Sequence, residues 1–352
     1  MFDSIADTTL AALVGLFGGI MLGVAARMGR FCTLGAVEDM LYQHSTVRMR
    51  MWLTGIGTAI IGTFGLMALG FLDAESTVYL RFGWNPLATI IGGLTFGYGM
   101  ALVGTCGFGA LARLGGGDLR SFVIVLVMGI AAYVTLSGPL AAVRVALLPI
   151  PVADGPVTPG IAHFLADRIG GSYLIYGFGI GILILTWALS SSKFRARPKE
   201  VFWGAIVGLA IVSGWAGSQW IAANGFSDVP VVSHTYSAPM GDSLFYVMTS
   251  SGNSLNFGIG SVAGVLVGAF LATAFKRELR WEACEDHREL RRQILGATLM
   301  GIGAVVAFGC TIGQGVSAFS VLSYGAPVAF VSIIGGAAFG LHQLILGFAV
   351  ID

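Results

Sequence analysis

Apolar residues occupy most of the chain, in nine runs that are each about as long as a membrane span. A helix that crosses a bilayer needs roughly 20 predominantly apolar residues. By that measure the sequence predicts spans over residues 8–26, 51–71, 86–105, 121–148, 172–190, 201–221, 257–274, 293–309 and 326–350. The pattern therefore predicts an all-α integral membrane protein with about nine transmembrane helices.

Four shorter, partly apolar stretches lie between the predicted spans, at residues 33–43, 107–114, 240–249 and 311–322. Each is too short to cross a bilayer, so we expect re-entrant or half-helices. Irregular backbone at membrane depth is tolerated only where protein covers it or where it lines a cavity.

Composition and charge agree with this interpretation. The 352 residues are 11% charged, against about 25% in a soluble domain. The 53 glycines are roughly twice the usual share and allow helix backbones to approach closely. The first nine residues lack a basic segment, which indicates a retained first span rather than a signal peptide. The net charge of +1 gives no indication of a nucleic-acid partner.

The distribution of cations predicts the orientation. Of the 19 Lys and Arg residues, all but Arg81, Arg144 and Arg168 fall in inside segments if the N-terminus lies outside. Cytoplasmic loops carry the excess of Lys and Arg. We therefore expect the N-terminus outside and the C-terminus in the cytoplasm.

An internal repeat appears when the chain is shifted by 204 residues. The shift places Gly92, Gly97, Gly99, Cys106 and Gly109 on Gly296, Gly301, Gly303, Cys310 and Gly313. The predicted order of spans and short helices repeats as well, with residues 1–150 as the first unit, 151–199 as a linking fifth span and 200–352 as the second unit. An unpaired span between two four-span units turns the second upside down, which gives an inverted-topology repeat.

Three of the four cysteines lie in glycine-flanked breaks that follow predicted spans. Half-helices beginning at Thr33, Gly107 and Thr311 would point free N–H groups and a positive dipole end at an anion. The candidate substrate-binding residues are Cys32, Thr33, Cys106, Gly107, Gly109, Cys310, Thr311, Gly313 and Gln314. The counterpart of Cys32 in the second unit, near residues 237–243, contains no cysteine.

Other polar residues have two interpretations each. Arg30 and Arg113 either anchor the chain by the positive-inside rule or attract an anion at the inner mouth. Gln314 either donates to a substrate or caps neighbouring backbone. His342, inside the last span, marks a proton route or forms an interhelical hydrogen bond. Cys284 lies in a charged loop, where we expect a solvated residue.

Two carboxylates follow the first break. We expect Glu38 and Asp39 to be solvated or to pair with Arg48 or Arg50.

The segments 29–36, 104–109 with 113–117, and 308–313 resemble the three signature regions of the YeeE/YedE sulfur-transport family. The resemblance implies an hourglass-shaped bacterial inner-membrane transporter with nine spans and four short helices. It also implies thiosulfate uptake, in which cysteines pass the ion through a narrow waist, and a cytoplasmic TusA-like sulfur carrier as partner. Two motifs depart from the family: Phe-Gly-Cys-Thr at 308–311 replaces Gly-Gly-Cys-Asn, and Gly-Thr-Cys at 104–106 lacks a paired glycine. Another sulfur or selenium species therefore stays open as the substrate.

The chemistry of the residues favours neutral thiols as relay sites. A neutral S–H donates weakly, so it does not trap a dianion as a fixed cation would, and conduction requires moderate binding at several sites. The alternatives are a membrane thiol or persulfide redox protein and, last, a pore for a neutral solute. The sequence has no CxxC pair, no paired haem histidines and no ATP-binding loop. We therefore expect a transporter rather than an enzyme, with no cofactor and no metal.

Overall fold

The structure is a computed structural model that describes residues 6–149, 160–279, 282 and 286–346. Within these residues every regular element is a helix, accompanied by three isolated β-bridges. In chain order the α-helices are α1 (Asp7–Met28), α2 (Thr33–Tyr42), α3 (Val47–Ala68), α4 (Val78–Arg81), α5 (Pro86–Val103), α6 (Gly107–Gly115), α7 (Arg120–Leu136), α8 (Leu140–Leu147), α9 (Ile161–Ile169), α10 (Tyr173–Leu189), α11 (Ser192–Arg195), α12 (Pro198–Asn224), α13 (Ala238–Thr249), α14 (Phe257–Lys276), α15 (His287–Val306) and α16 (Gly325–Leu346), with a π-helix (Gly313–Ala318) between the last two.

Six helical segments of the described chain are long and apolar enough to cross a membrane. They are Asp7–Tyr42, Val47–Ala68, Pro86–Gly115, Pro198–Asn224, Phe257–Lys276 and Gly325–Ile345. A seventh is possible if α7 and α8, which are bent by 59°, form one span. The predicted all-α membrane class is confirmed with six to seven candidate spans, a smaller number than the nine predicted.

Two predicted elements differ from the structure. The span predicted over residues 121–148 is two helices, because Gly138 and Pro139 end α7 and proline cannot continue a helix. The half-helix predicted over residues 311–322 contains a π-helix. The short helices α4, α9 and α11 were not predicted. The last predicted span extends to residue 350, and residues 347–350 lie outside the described part of the chain.

Glycines let the backbones of helices α1 and α14 pack directly against each other. Gly15, Gly19 and Gly23 of α1 lie against backbone atoms of α14, and Gly260, Gly264 and Gly268 of α14 lie against backbone atoms of α1. The glycines recur every fourth residue, so they share one face of each helix. Close packing through small residues is the usual way in which membrane helices associate. The α1–α14 pair is therefore an interlocked seam.

The packing of helices repeats between the two halves of the chain. Helix α1 packs on α14 as α12 packs on α3, α5 packs on α16 as α15 packs on α7, and α13 packs on α7 as α2 packs on α16. Helix α6 contacts α14 as the π-helix contacts α3. All of these pairs join one half to the other, and the contacts α1–α12 and α5–α15 pair a helix with its own counterpart. Exchanging each of these elements with its counterpart leaves the set of packed pairs unchanged.

The glycine seam leads to a stability prediction. In Gly264→Ala the new methyl group would collide with the Leu16 carbonyl, whereas a Cβ at Gly65 of α3 meets nothing within 4 Å. Overpacking a tight contact costs about 1–3 kcal/mol, while replacing glycine by alanine in an open helix gains up to about 1 kcal/mol. Thermal unfolding in detergent should show a lowered Tm for Gly264→Ala and an unchanged or raised Tm for Gly65→Ala. Equal Tm values for the two variants would contradict the seam.

Candidate functional site

The three cysteine-containing breaks share one backbone conformation. The residue two positions before each cysteine has a positive φ: 54° at Arg30, 83° at Gly104 and 60° at Phe308. Glycine adopts this region freely, but for Arg30 and Phe308 it is strained, and such strain concentrates at functional sites. The same left-handed turn therefore ends a helix three times and places a cysteine just beyond it.

Two of the cysteines cap the helical turn that follows. The Sγ atom of Cys106 accepts a hydrogen bond from the Gly109 N–H at 3.3 Å, and Cys310 Sγ accepts one from the Gly313 N–H at 3.5 Å. Cys32 occupies the same N-cap position of α2 without such a bond. A thiol that accepts through sulfur keeps its S–H free to donate. Cys106 and Cys310 are therefore held in place while their protons stay available.

The fold brings the three thiols together. Cys106 and Cys310 are each only 1% exposed, whereas Cys32 is half-buried and faces a cavity. Cys106 lies near both Cys32 and Cys310. All three cysteines are free thiols. Cys284 lies outside the described residues.

Buried oxygens without a hydrogen-bond partner concentrate at the same breaks. Of the six such oxygens in the described chain, four lie there, namely the hydroxyl groups of Thr33, Thr105 and Thr311 and the side-chain carbonyl of Gln314; the other two are the Thr63 hydroxyl and the Gln293 side-chain carbonyl. Thr33 and Thr311 are fully buried, and Thr105 and Gln314 are 1% and 4% exposed. Buried polar atoms in folded proteins normally have partners. Within the described chain, this cluster is where a polar ligand would complete the hydrogen bonding.

Gln314 caps the helix end at the third break. Its Nε2 donates to the carbonyls of Ala307 and Phe308, both at 3.0 Å. These carbonyls end α15, so the amide supplies the partners that the interrupted helix lacks. The structure therefore gives the Gln314 nitrogen the capping role, while the side-chain oxygen stays unpartnered.

The glycines next to the cysteines are required by close neighbours. A Cβ at Gly107 would lie 2.5 Å from Met128 Sδ, and one at Gly313 would lie 2.5 Å from Thr235 Oγ1 and 3.1 Å from Tyr79 Oη. A Cβ at Gly109 would collide with Thr105 Oγ1. Side chains at these three positions would therefore displace residues of the site.

The segment 231–236 reaches both buried cysteine breaks, and sequence reasoning did not identify it. The His234 carbonyl accepts from Ser317 Oγ of the π-helix at 2.6 Å, and Thr235 Oγ1 lies 3.8 Å from Cys310 Sγ. The Tyr236 ring lies 5.2 Å from that of Phe108 in α6. The only sequence signal was its place in the repeat, where it precedes the counterpart of the Cys32 break.

A buried network fixes this segment. His234 Nδ1 lies 2.7 Å from Ser261 Oγ, and that hydroxyl lies 3.0 Å from Tyr236 Oη. Both rings are fully buried. Helix α14, which carries Ser261, therefore holds the segment against the π-helix and α6.

Two cavities of about 310 Å³ lie beside the breaks. The first, called here the basic cavity, contains Cys32, Gly104, Thr105 and Gly109. Its charged lining residues are Arg27, Arg30, Arg48, Arg113, Lys276, Glu38 and Glu278. The second cavity borders Thr235 and Pro239, and its lining is largely apolar apart from Asp228 and Asp242. The basic cavity is lined by segments predicted inside, and the second cavity by segments predicted outside.

The remaining candidates have ordinary structural contacts. Asp39 pairs with Arg48 at 3.2 Å, which confirms one of the expected pairs. Arg50 instead donates to the carbonyls of Trp187 and Ala188 at 2.6 and 3.0 Å, so it caps α10. His342 is exposed on the outer face of α16, away from the breaks.

One protein family and two named proteins match most of this chain. A family model described as sulphur transport matches residues 28–339, a range that includes all three breaks. A protein of Escherichia coli (strain K12) named thiosulfate transporter TsuA is 26% identical over 350 residues, with 92% of each chain covered. A protein of the same name from Spirochaeta thermophila is 26% identical over 328 residues, covering 90% of this chain and 95% of its own.

The exposure of the thiols leads to a labelling prediction. Because Cys32 borders the basic cavity, it should react with a negatively charged methanethiosulfonate faster than with a positively charged one, while Cys106 and Cys310 stay protected. Peptide mapping by mass spectrometry of the labelled, detergent-solubilised protein measures this for each cysteine separately. Equal modification of all three thiols, or a preference of Cys32 for the cationic reagent, would contradict the described burial and charge.

Proposed function

The chain belongs to the sulphur-transport family, and on that premise we propose that it carries thiosulfate across the bacterial inner membrane into the cytoplasm. The observation that carries the proposal is the cluster of three thiols and unpartnered hydroxyls at breaks between two cavities. Both relatives named thiosulfate transporters align with more than nine-tenths of their length. The family match and both relatives support transport as the function rather than catalysis.

The thiols act as relay sites for a desolvated anion. Burying an unpaired charge is very costly, so the ion must find donors at each step. In Cys106 and Cys310 the sulfur is fixed by a backbone N–H, and the S–H can turn toward the ion. The free hydroxyls of Thr33 and Thr311 add donors directly beside the thiols. Weak donors in series give the moderate, multi-site binding that permeation requires.

The glycines and Gln314 shape the same path. Gly107, Gly109 and Gly313 keep the backbone close to the ion by leaving no side chain in the way. Gln314 caps the helix end at the third break through its two hydrogen bonds, and it lines the small aromatic cavity together with Tyr79 and Phe308.

We further propose an hourglass-shaped inverted repeat of nine spans. The six candidate spans, the bent pair α7–α8, the 17-residue α10 and the 20-residue α15 give that number. The exchange symmetry of the packed helices and the matching sulfur caps of Cys106 and Cys310 support a pseudo-two-fold relation. Cys106 then approaches the waist from the cytoplasmic side and Cys310 from the outer side, with the N-terminus outside.

A small TusA-like sulfur carrier is the proposed cytoplasmic partner. Its reactive thiolate would attack the outer sulfur of thiosulfate where the path opens into the basic cavity beside Cys32, which forms a persulfide on the carrier and releases sulfite. The proposal requires that such a carrier can be cross-linked to Cys32 but not to Cys310.

Cysteine substitutions test the relay. In Cys32→Ala, Cys106→Ala and Cys310→Ala, uptake of labelled thiosulfate into liposomes should fall about tenfold or more, since a hydrogen bond to a charged group contributes about 1.5–3 kcal/mol. Cys284→Ala is the matched control and should transport normally. Sulfate, sulfite and selenite as competitors identify the species carried. Normal uptake by the triple alanine variant would end the proposal.

Threonine substitutions test the hydroxyl groups apart from stability. Thr311→Val removes a buried hydroxyl that has no partner, so we expect an unchanged or higher Tm together with slower uptake. Thr63→Val is the control, because Thr63 on α3 is also fully buried and unpartnered but lies away from the breaks. A loss of uptake in both variants, or in neither, would show that the Thr311 hydroxyl does not contact the ion.

A further inference from the structure

We infer that the basic cavity is itself a binding site for an inorganic dianion such as sulfate or thiosulfate, and that its occupancy from the cytoplasm slows uptake. The binding part stands on the cavity alone. The part on inhibition rests on the proposed function.

The cavity carries excess positive charge. Five cationic side chains line it, namely those of Arg27, Arg30, Arg48, Arg113 and Lys276. They face three carboxylates: Glu38 and Glu278 in the lining and Asp39, which is bound to Arg48. The formal excess is two positive charges, which one dianion would neutralise. A concave wall with an excess of one sign of charge concentrates the field inside it.

The cations are oriented without being neutralised. Arg27 Nε donates to Thr273 Oγ1 at 2.9 Å, Lys276 Nζ donates to the Arg27 carbonyl at 3.3 Å and Arg113 donates to the Gly104 carbonyl at 3.3 Å. These partners are neutral oxygens. Among the described residues, Arg48 is the only one of the five cations in an ion pair. Arg27, Arg113 and Lys276 are held in place by these bonds, and none of the three forms a described ion pair.

A buried donor inside the cavity gives independent evidence. Thr105 lines the cavity, is 1% exposed and has a hydroxyl with no partner in the described chain. A threonine at the membrane surface would be exposed to solvent, whereas Thr105 is buried. The unpartnered hydroxyl and the guanidinium groups are donors of the kind that bind the oxygens of a tetrahedral oxoanion.

This site selects by charge rather than by sulfur chemistry. Guanidinium groups bind any oxoanion of suitable geometry, so sulfate should bind as well as thiosulfate. The cavity shares Cys32, Gly104 and Thr105 with the thiol path. A dianion held there would repel the next dianion arriving at Cys106, which makes the cytoplasmic anion an inhibitor of its own entry.

Titration calorimetry on the purified full-length protein tests the binding, with sodium sulfate as the probe at fixed ionic strength. We expect saturable binding that weakens about tenfold or more in Arg30→Gln and Arg113→Gln, because each loses a charge-assisted hydrogen bond. Arg195→Gln, an exposed cation on α11 outside the cavity, is the matched control and should bind as the native protein does. Arg30 makes no described hydrogen bond to backbone carbonyls, so its variant is informative even if Arg113→Gln unfolds.

Absence of saturable sulfate binding, or an equal loss in Arg195→Gln, would overturn the inference. Liposomes loaded with sulfate then test the inhibition: labelled thiosulfate uptake should slow in the native protein and be relieved in Arg30→Gln. If no thiosulfate uptake occurs in any preparation, the proposed function fails, while the calorimetric result still decides whether the cavity binds a dianion.

Discussion

Every interruption of a helix at membrane depth must satisfy the backbone groups that the interruption frees. This protein meets that constraint three times with similar local geometry: a left-handed residue, a cysteine and a new helical turn. At Cys106 and Cys310 the sulfur accepts the freed N–H, and at the third break Gln314 donates to the freed carbonyls. Each of these two thiols therefore caps a helical turn and can also donate a hydrogen bond. The cap keeps the thiol ordered in an apolar interior.

The breaks are held by surrounding elements as well as by their own contacts. The glycine seam between α1 and α14 brings backbones together, and α14 supplies Ser261, which fixes His234 and Tyr236. The segment that contains them contacts the π-helix through Ser317 and α6 through Phe108. A path defined by two half-helices thus depends on a third element that holds both.

The sequence was informative where the signal is local. The glycine-cysteine breaks, the half-helices α2, α6 and α13 and the positions of the candidate residues all follow from short patterns. The bend between α7 and α8 was missed because apolar length outweighed the Gly138–Pro139 signal. Thr235 could not be recognised at all, since its contact joins it to Cys310, 75 residues away. A tertiary contact of this kind produces no periodic pattern in the sequence.

The two ends of the molecule differ in charge, and this difference limits what the fold can do. The second cavity is largely apolar with two aspartates, whereas the basic cavity carries excess positive charge. In the proposed orientation a dianion therefore moves toward favourable fixed charge. Entry against an inside-negative potential nevertheless costs about 4.6 kcal/mol per 100 mV for two charges. Fixed side chains return to the same state after each passage, so they cannot supply that work. Under the proposed function, net uptake must instead draw on removal of the anion inside the cell or on coupling to another gradient.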